Sequence, residues 1–320
     1  IPRERLVEVG AHYTFFGGAS PINAQTRALL DAIRTDLAEA GLDVPVYWGN
    51  RNWHPYLAET LRTMRDEGIT SAACFVTSAY SSYSGCRQYR ENLYDAVAEV
   101  EADGLGPAPR LDKLRHYFDH PGFVETIADH VVDAATSLGV ASPRVVFTTH
   151  SIPVASAAAS GPQGDAYVAQ HRAVAQLVHE RASSRVALDV GWDLVYQSRS
   201  GPPQVPWLEP DISDHLSALR GEGVDGVVIV PLGFVSDHME VLWDLDTVAL
   251  DHARTIGLPA VRAGTVGTDA RFVGLVRDLV LERVGLAPAQ ALSPLGPSHD
   301  VCPTACCPNP RGQRPSLCGG

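Results

Sequence analysis

Short runs of β-branched and aliphatic residues alternate with longer amphipathic stretches along this chain as far as Val284. Ser20-Pro21 has the form of a helix start, serine at the N-cap and proline at the first helical position. That helix runs through Leu29 and Ile33 to a stop at Gly41. The pattern then predicts a strand at 44–48, a helix at 56–67 and a buried strand at 70–76. A polar aromatic loop follows at 77–86, then a helix to about residue 102, a strand at 111–117 and a helix at 121–138. The pattern restarts after Ala141-Ser142-Pro143. Strands are expected at 145–148, 194–196, 227–231 and 260–262, and helices at 167–181, 212–219, 239–256 and 269–284. Residues 155–164 read as a Ser/Ala/Gly-rich loop, and the chain from Pro288 onward as a tail. Strand–helix alternation predicts an α/β fold of two Rossmann-like, doubly wound parallel-sheet domains. The expected division is 1–140 completed by helix 269–284, then 141–268, then the tail 285–320.

Two of the buried strands end in ionisable residues. Val227-Val228-Ile229-Val230-Pro231 runs through Leu232 to Val235 into Ser236-Asp237-His238-Met239-Glu240. Ligands of open α/β sheets bind at the carboxyl ends of strands, which is where this cluster falls. A helix from Met239 sets Glu240 and Asp244 four apart on one face. Val145 to Thr148 likewise delivers His150, and two parallel strands would bring both groups to one edge of the sheet. Imidazole with carboxylate suits a divalent first-row metal or proton transfer. Taken singly, the first segment is also a strand followed by a solvated acidic helix start, and His150 a hydrogen-bonded structural residue at a strand end.

Composition narrows the functions open to such a site. Hydrophobic residues make up 45% and charged residues 19% of the 320, as in ordinary soluble proteins. The net charge of -12 argues against nucleic acid and is compatible with attracting cations. No apolar stretch approaches the length of a transmembrane helix. Neither a GxGxxG turn nor a Walker loop follows a strand, which argues against dinucleotide or nucleoside triphosphate binding. Tyr80, Tyr83 and Tyr89 could wall a pocket for a flat ligand, or decorate a surface loop. Arg199, in the turn after 194–196, could meet a ligand carboxylate or lie on the surface.

Cysteines carry the remaining chemistry. Cys302, Cys306, Cys307 and Cys318 crowd into a proline-rich tail that has no core of its own. Such thiolates select zinc or an iron–sulfur cluster; a reactive tail or a local disulfide are the alternatives. Cys318 or the loop residue Cys86 could complete a set of four, while Cys74 reads as a small core hydrophobe.

Taken together the motifs resemble the ferrochelatases, which insert ferrous iron into a porphyrin. The carrying segments are Gly17-Gly18-Ala19-Ser20-Pro21-Ile22-Asn23, Ser82-Tyr83-Ser84-Gly85-Cys86-Arg87-Gln88-Tyr89 and Phe147-Thr148-Thr149-His150-Ser151-Ile152-Pro153. Tyr196-Gln197-Ser198 with Pro206-Trp207-Leu208, and Phe234-Val235-Ser236-Asp237-His238-Met239-Glu240, continue them in the family's order. The cysteine-bearing tail resembles the actinobacterial branch, whose members use coproporphyrin III and carry a [2Fe-2S] cluster.

The resemblance implies a chelatase-like fold, with the porphyrin in a cleft between two domains. It makes His150 the metal ligand and proton acceptor and Glu240 its metal-binding partner. Ser20 and Tyr89 become porphyrin contacts, and Asp237, His238 and Asp244 supporting groups that tune charge and relay protons or metal. The cluster would use Cys86, Cys302, Cys306 and Cys307, with Cys318 able to replace one of the adjacent pair. Coproporphyrin III and ferrous iron are the expected partners, the cytoplasm the expected compartment, and transient contact with other enzymes of heme synthesis is compatible with that. Family members carry a strand and loop before the region matching Ile1, so a first strand–loop unit is expected to be missing here. Chelatases that insert cobalt or nickel into a sirohydrochlorin, and a non-catalytic porphyrin or iron–sulfur binding protein, are the competing readings.

Overall fold

A computed structural model describes residues 10–202 and 204–317. In chain order its elements are α1 (Ile22–Glu39), α2 (Leu57–Asp66), β1 (Ser71–Cys74) and a π-helical turn (Tyr83–Arg87) leading into α3 (Gln88–Ala102). Then come β2 (Arg110–Lys113), α4 (Pro121–Leu138), β3 (Arg144–His150), α5 (Val154–Ala158) and α6 (Ala166–Ser183). β4 (Trp192–Gln197), α7 (Ile212–Gly221) and β5 (Val227–Val230) follow. Helix α8 opens at Met239–Val241, widens into a π-helix over Leu242–Ala249 and closes with Leu250–Thr255. β6 (Ala260–Arg262) and α9 (Ala270–Arg283) end the regular structure.

The chain divides into two compact units. One comprises residues 1–29, 124–151 and 175–269. Its sheet has the order β4-β3-β5-β6, parallel throughout. The four residues of β5 are buried, as a central parallel strand requires. Helix α7 covers the sheet through Ile212, Leu216 and Leu219, spaced for one helical face and almost wholly buried. Each such side chain contributes about 2 kcal/mol by leaving water. Asp211 caps α7, accepting a 2.8 Å hydrogen bond from the Ser213 amide. His150 pairs with Gln197 at the carboxyl end of β3, while the pairing to β5 ends at Phe147 with Val230. The chain beyond β5 folds tightly back over β3. A Cβ at Gly233 would lie 2.2 Å from the Thr149 hydroxyl, so only glycine fits there.

The other unit comprises residues 30–123, 152–174 and 270–320. Here β1 pairs with β2 in parallel, and α2 and α3 pack through Ala58, Leu61, Met64, Ala96 and Val100. Phe75, Tyr117, Phe123 and Phe272 form an aromatic core, with Phe75 stacked on Tyr117 at 5.0 Å. Helix α9 supplies Phe272, Leu275, Val276 and Leu279 to this unit.

Three expectations shift. Residues 44–48 form no strand ladder; the Val46 carbonyl is taken by the Arg34 guanidinium at 2.7 Å and the Trp48 carbonyl by the Thr60 hydroxyl at 2.9 Å. Backbone groups satisfied by side chains leave nothing for a neighbouring strand. Strands β1 and β2 end at Cys74 and Lys113, short of 76 and 117, and the expected loop at 155–164 begins inside the short helix α5. The tail, though irregular, is fastened to α3. Leu317 donates its amide to the Arg90 carbonyl at 3.0 Å, and the buried Arg87 bonds the carbonyls of Thr304 and Arg314.

Candidate functional site

His150 and Glu240 meet in the first unit. The Nδ1 of His150 lies 2.5 Å from the Ser151 carbonyl oxygen, which can only accept, so Nδ1 carries the proton. The Nε2 lone pair then faces the Glu240 carboxylate at 3.8 Å. That distance is too long for a hydrogen bond. It lies within the span of two ligands that each sit about 2.1 Å from one shared ion.

The start of α8 aims Glu240. His238 caps the helix, its Nδ1 accepting from the Glu240 amide at 3.2 Å. Gln197 donates to the Glu240 carbonyl at 3.3 Å and is itself held by the Thr148 hydroxyl at 2.9 Å. The strands that present His150 therefore also position Glu240. Burial lowers the pKa of His238; the carboxylates of Glu240 and Asp237 oppose this, and His150 adds to it. Asp244 lies in the π-helical part of α8 and accepts a hydrogen bond from Ser198, a residue held at a φ of 61°. Burial raises its pKa; the Ser198 bond opposes that and the neighbouring Glu240 carboxylate reinforces it.

Asp237 faces elsewhere. Its carboxylate pairs with Arg262 at 2.9 Å and accepts from Thr265 at 3.2 Å, while Gln25 bonds its backbone on both sides. Arg262 also pairs with Asp246, so Asp237 belongs to a scaffold behind the site. Ser20 caps α1 through the Ile22 amide at 3.3 Å, in the same unit. Tyr89 lies in the other unit, under the Arg51 guanidinium at 4.4 Å from its ring centre. Tyr80 is core rather than pocket wall, buried and stacked on His171 at 3.5 Å. Arg199 stands 3.5 Å from Glu209. The sequence reading passed over Trp243, which stacks on His12 at 3.8 Å and meets Phe15 edge-on. Its place beside Asp244 was the available signal.

The second constellation lies wholly within the other unit. Cys86, Cys306 and Cys307 are buried and Cys302 is partly so. The sulfurs of Cys86 and Cys302 are 3.9 Å apart, and those of Cys306 and Cys307 are 3.7 Å apart. All four are free thiols, at distances nearly twice a disulfide bond. Ser82 fixes the turn that carries Cys86 by accepting from the Gly85 amide at 2.9 Å. The Gly161 amide donates to the Cys307 sulfur at 3.2 Å, and Arg90 reaches the Cys306 carbonyl at 3.2 Å. Cys318 lies outside the described residues, and Cys74 is a partly buried thiol that burial pushes up to about 12. His299, missed in the sequence, joins Cys302 and Cys306 with donor atoms all within 4.8 Å of one another.

Ionisation shows what the four thiols lack. Hydrogen bonds from Cys302 and Cys307 hold the Cys86 thiol well below its ordinary range. For Cys302 a bond from Cys306 acts downward, but donation to Cys86 and burial prevail and push it up to about 12. Cys307, bonded by Cys306 yet donating to Cys86 and buried, is pushed up to about 11. Donation to Cys302 and Cys307 raises Cys306 as well. Cys86 is thus the thiol most ready to ionise, and bringing all four to the thiolate form would call for bound positive charge. The donor set fits a thiolate-bound metal centre, and the buried Arg90 beside it suits a site that is anionic overall.

Comparison with known proteins identifies the setting of these residues. The ferrochelatase family model matches residues 1–284. A coproporphyrin III ferrochelatase of Streptomyces coelicolor is 55% identical over all of this chain and 88% of its own length. That of Nocardia farcinica is 48% identical over all of this chain and 91% of its own. A ferrochelatase of Rhodopirellula baltica is 47% identical, covering all of this chain and 88% of its own. Among solved structures, SirB from Bacillus subtilis with Fe3+ has a TM-score of 0.54 at 14% identity, covering 82% of this chain and 91% of SirB. That likeness is one of fold, a chelatase fold with parallel sheets. By its sequence along its whole regular structure, and by its fold, this chain belongs to the ferrochelatase family.

Proposed function

We propose that this chain inserts ferrous iron into coproporphyrin III through His150 and Glu240, and that Cys86, Cys302, Cys306 and Cys307 hold a [2Fe-2S] cluster. The observation that carries the first part is the 3.8 Å approach of His150 Nε2 to the Glu240 carboxylate at the strand ends. Relatives 48–55% identical over the full chain, named coproporphyrin III ferrochelatases, support the substrate.

Insertion exchanges two pyrrole N–H protons for one ferrous ion, so the ring's charge is unchanged and two protons must leave. Imidazole Nε2 of His150 accepts a proton from the ring, since Nδ1 is already committed to Ser151. Glu240, the more exposed of the pair, meets the hydrated cation and shares it with His150 while Nε2 is unprotonated. Once the ion has moved to the ring, Nε2 takes the pyrrole protons in turn, shedding the first to solvent before the second. Asp244 adds a carboxyl behind Glu240, held in place by Ser198. His238, kept neutral by burial and with Nδ1 committed to the Glu240 amide, holds the start of α8 without adding a cation that would repel iron. A macrocycle bent on binding exposes its nitrogen lone pairs, and contacts remote from the metal offset that strain.

A bound cluster would supply a cross-link between α3 and the tail and a one-electron acceptor; insertion itself moves protons, not electrons. Adjacent free thiols also fit work in a reducing cytoplasm. No helix among the described residues is long and apolar enough to cross a membrane.

The test is a metal-insertion assay with ferrous iron and coproporphyrin III, run in parallel with cobalt and a sirohydrochlorin. Turnover confined to the second pair would overturn the substrate assignment. An absorption spectrum of protein purified without oxygen tests the cluster, and a colourless protein removes it.

A further inference from the structure

Four sulfurs suffice for a [2Fe-2S] cluster, two on each iron. The thiol nest nevertheless contains a fifth donor. His299 Nε2 lies 3.1 Å from the Cys302 sulfur, the length of an N–H···S hydrogen bond. His299 is half-buried, three residues before Cys302 on the same irregular segment. A cluster-bound thiolate has no proton to give, so the contact persists on metal binding only if Nε2–H donates.

The four cysteines are not equally placed. Cys86, Cys306 and Cys307 are closed off from solvent, and Cys302 is the one left partly exposed. Cys307 already receives the Gly161 amide. Cys302, at the open corner, receives the His299 imidazole. Donors on cluster sulfurs withdraw electron density and favour the reduced state, and outer partners of this kind hold ligands in place.

We propose that His299 is a positioning residue of the cluster, donating from Nε2 to the Cys302 sulfur so as to raise the cluster's reduction potential and secure its exposed corner. The proposal rests on the cluster reading above, and its test separates the two.

The full chain is purified without oxygen as wild type, His299→Ala and His299→Gln, and each is titrated electrochemically. The expected result is that His299→Ala keeps the wild-type absorption pattern but loses about tenfold in its reduction equilibrium, a fall of about 59 mV for one electron. His299→Gln, whose amide can donate to the same sulfur, recovers part of that shift. Iron loss to a chelator should be faster in His299→Ala than in His299→Gln. An unchanged potential in a coloured His299→Ala overturns the proposal. A changed absorption pattern also overturns it, because His299 would then be a ligand. Pulsed electron paramagnetic resonance of the reduced wild type needs no variant. Weak coupling to an imidazole nitrogen supports donation through sulfur; strong coupling of a direct ligand, or none, overturns it. Colourless wild-type protein overturns the cluster reading itself and the proposal with it.

Discussion

The two constellations differ in the access and softness of their donors. At the His150 site the side chains are 32% and 53% exposed for His150 and Glu240, and the donors are nitrogen and oxygen at the ends of a rigid sheet. In the thiol nest Cys86, Cys306 and Cys307 are at most 2% exposed, the donors are sulfur, and irregular chain carries most of them. Open nitrogen and oxygen donors bind a cation loosely enough to release it, as a substrate ion requires. Enclosed thiolates hold a metal that stays, because ligand and metal leave together only if the tail opens. The sheet gives the first site its precision, and the buried Arg87 and Arg90 do the same for the second by gripping the tail's carbonyls.

The largest expected effect breaks the first half of the comparison. His150→Ala should lower iron insertion by about 10³-fold, within the range of a lost acid–base residue, while porphyrin binding persists. Glu240→Gln should act mainly on the apparent affinity for ferrous iron. Steady-state assays with fluorescence detection of bound porphyrin separate the two. Near-normal turnover of His150→Ala would remove this site from the chemistry.

Cys86→Ser tests the other half. It should abolish the visible absorbance of the anaerobic protein and cost about 2 kcal/mol or more in stability, since the cross-link that the proposed cluster would make between the turn before α3 and the tail goes with it. Denaturation monitored alongside iron content checks this. Equal stability in coloured wild type and colourless variant would make the nest independent of the fold.

How much of this could be read beforehand depends on the range of the interactions. The β5 run was legible because a fully buried parallel strand leaves a continuous apolar signature that stops where the ionisable residues begin. The pairing of His150 with Gln197, and the way Gln197 then supports Glu240, depended on strand order, which local pattern does not encode. The π-helical stretch of α8 was invisible, because its apolar positions also satisfy an ordinary helix. Asp237 looked like part of the site until β6 brought Arg262 against it from 25 positions away. Cysteine density marked the tail, but the contact with Cys86 spans 216 positions; the residues alone left Cys86 and Cys318 both open, and the family resemblance chose Cys86. His299 had no periodicity around it to mark it.

A smaller effect tests the unit with the thiol nest by acid. Burial pushes His171 down to about 3 and His120 down to about 4, both in the unit with the thiol nest. Their folded pKa values lie below the unfolded value of about 6.5. Their neutral forms therefore support the fold fully above about pH 6.5, and that support is lost as pH falls toward the folded values. Each imidazole costs up to about 1.4 kcal/mol per pH unit in that window. Urea denaturation at pH 7.5, 6 and 5 should show stability falling, with a shallower fall in His171→Gln. An unchanged slope in that variant would place the acid sensitivity elsewhere.

The smallest effect concerns the cost of keeping the Asp244 carboxylate buried. Burial, reinforced by Glu240, raises the pKa of Asp244 in the folded protein. A raised carboxyl binds its proton more tightly folded than unfolded, so it imposes no penalty well below its unfolded pKa of about 3.9. The penalty grows as pH rises through the folded value and is complete above it. Asp244→Asn removes the charge while an amide can still accept from Ser198. The variant should gain stability at pH 7, by less than about 1 kcal/mol given partial solvent screening, and the gain should shrink by pH 4. It should also need more ferrous iron to reach half-maximal insertion, because charge behind Glu240 is lost. Paired melting curves at pH 7 and pH 4, with an iron titration at pH 7, decide the matter. Equal stability at both pH values, or unchanged iron demand, would show that Asp244 is not maintained at the fold's expense for the cation. The contrast between an open site of nitrogen and oxygen donors and a closed nest of thiols would then rest on His150 and Glu240 alone.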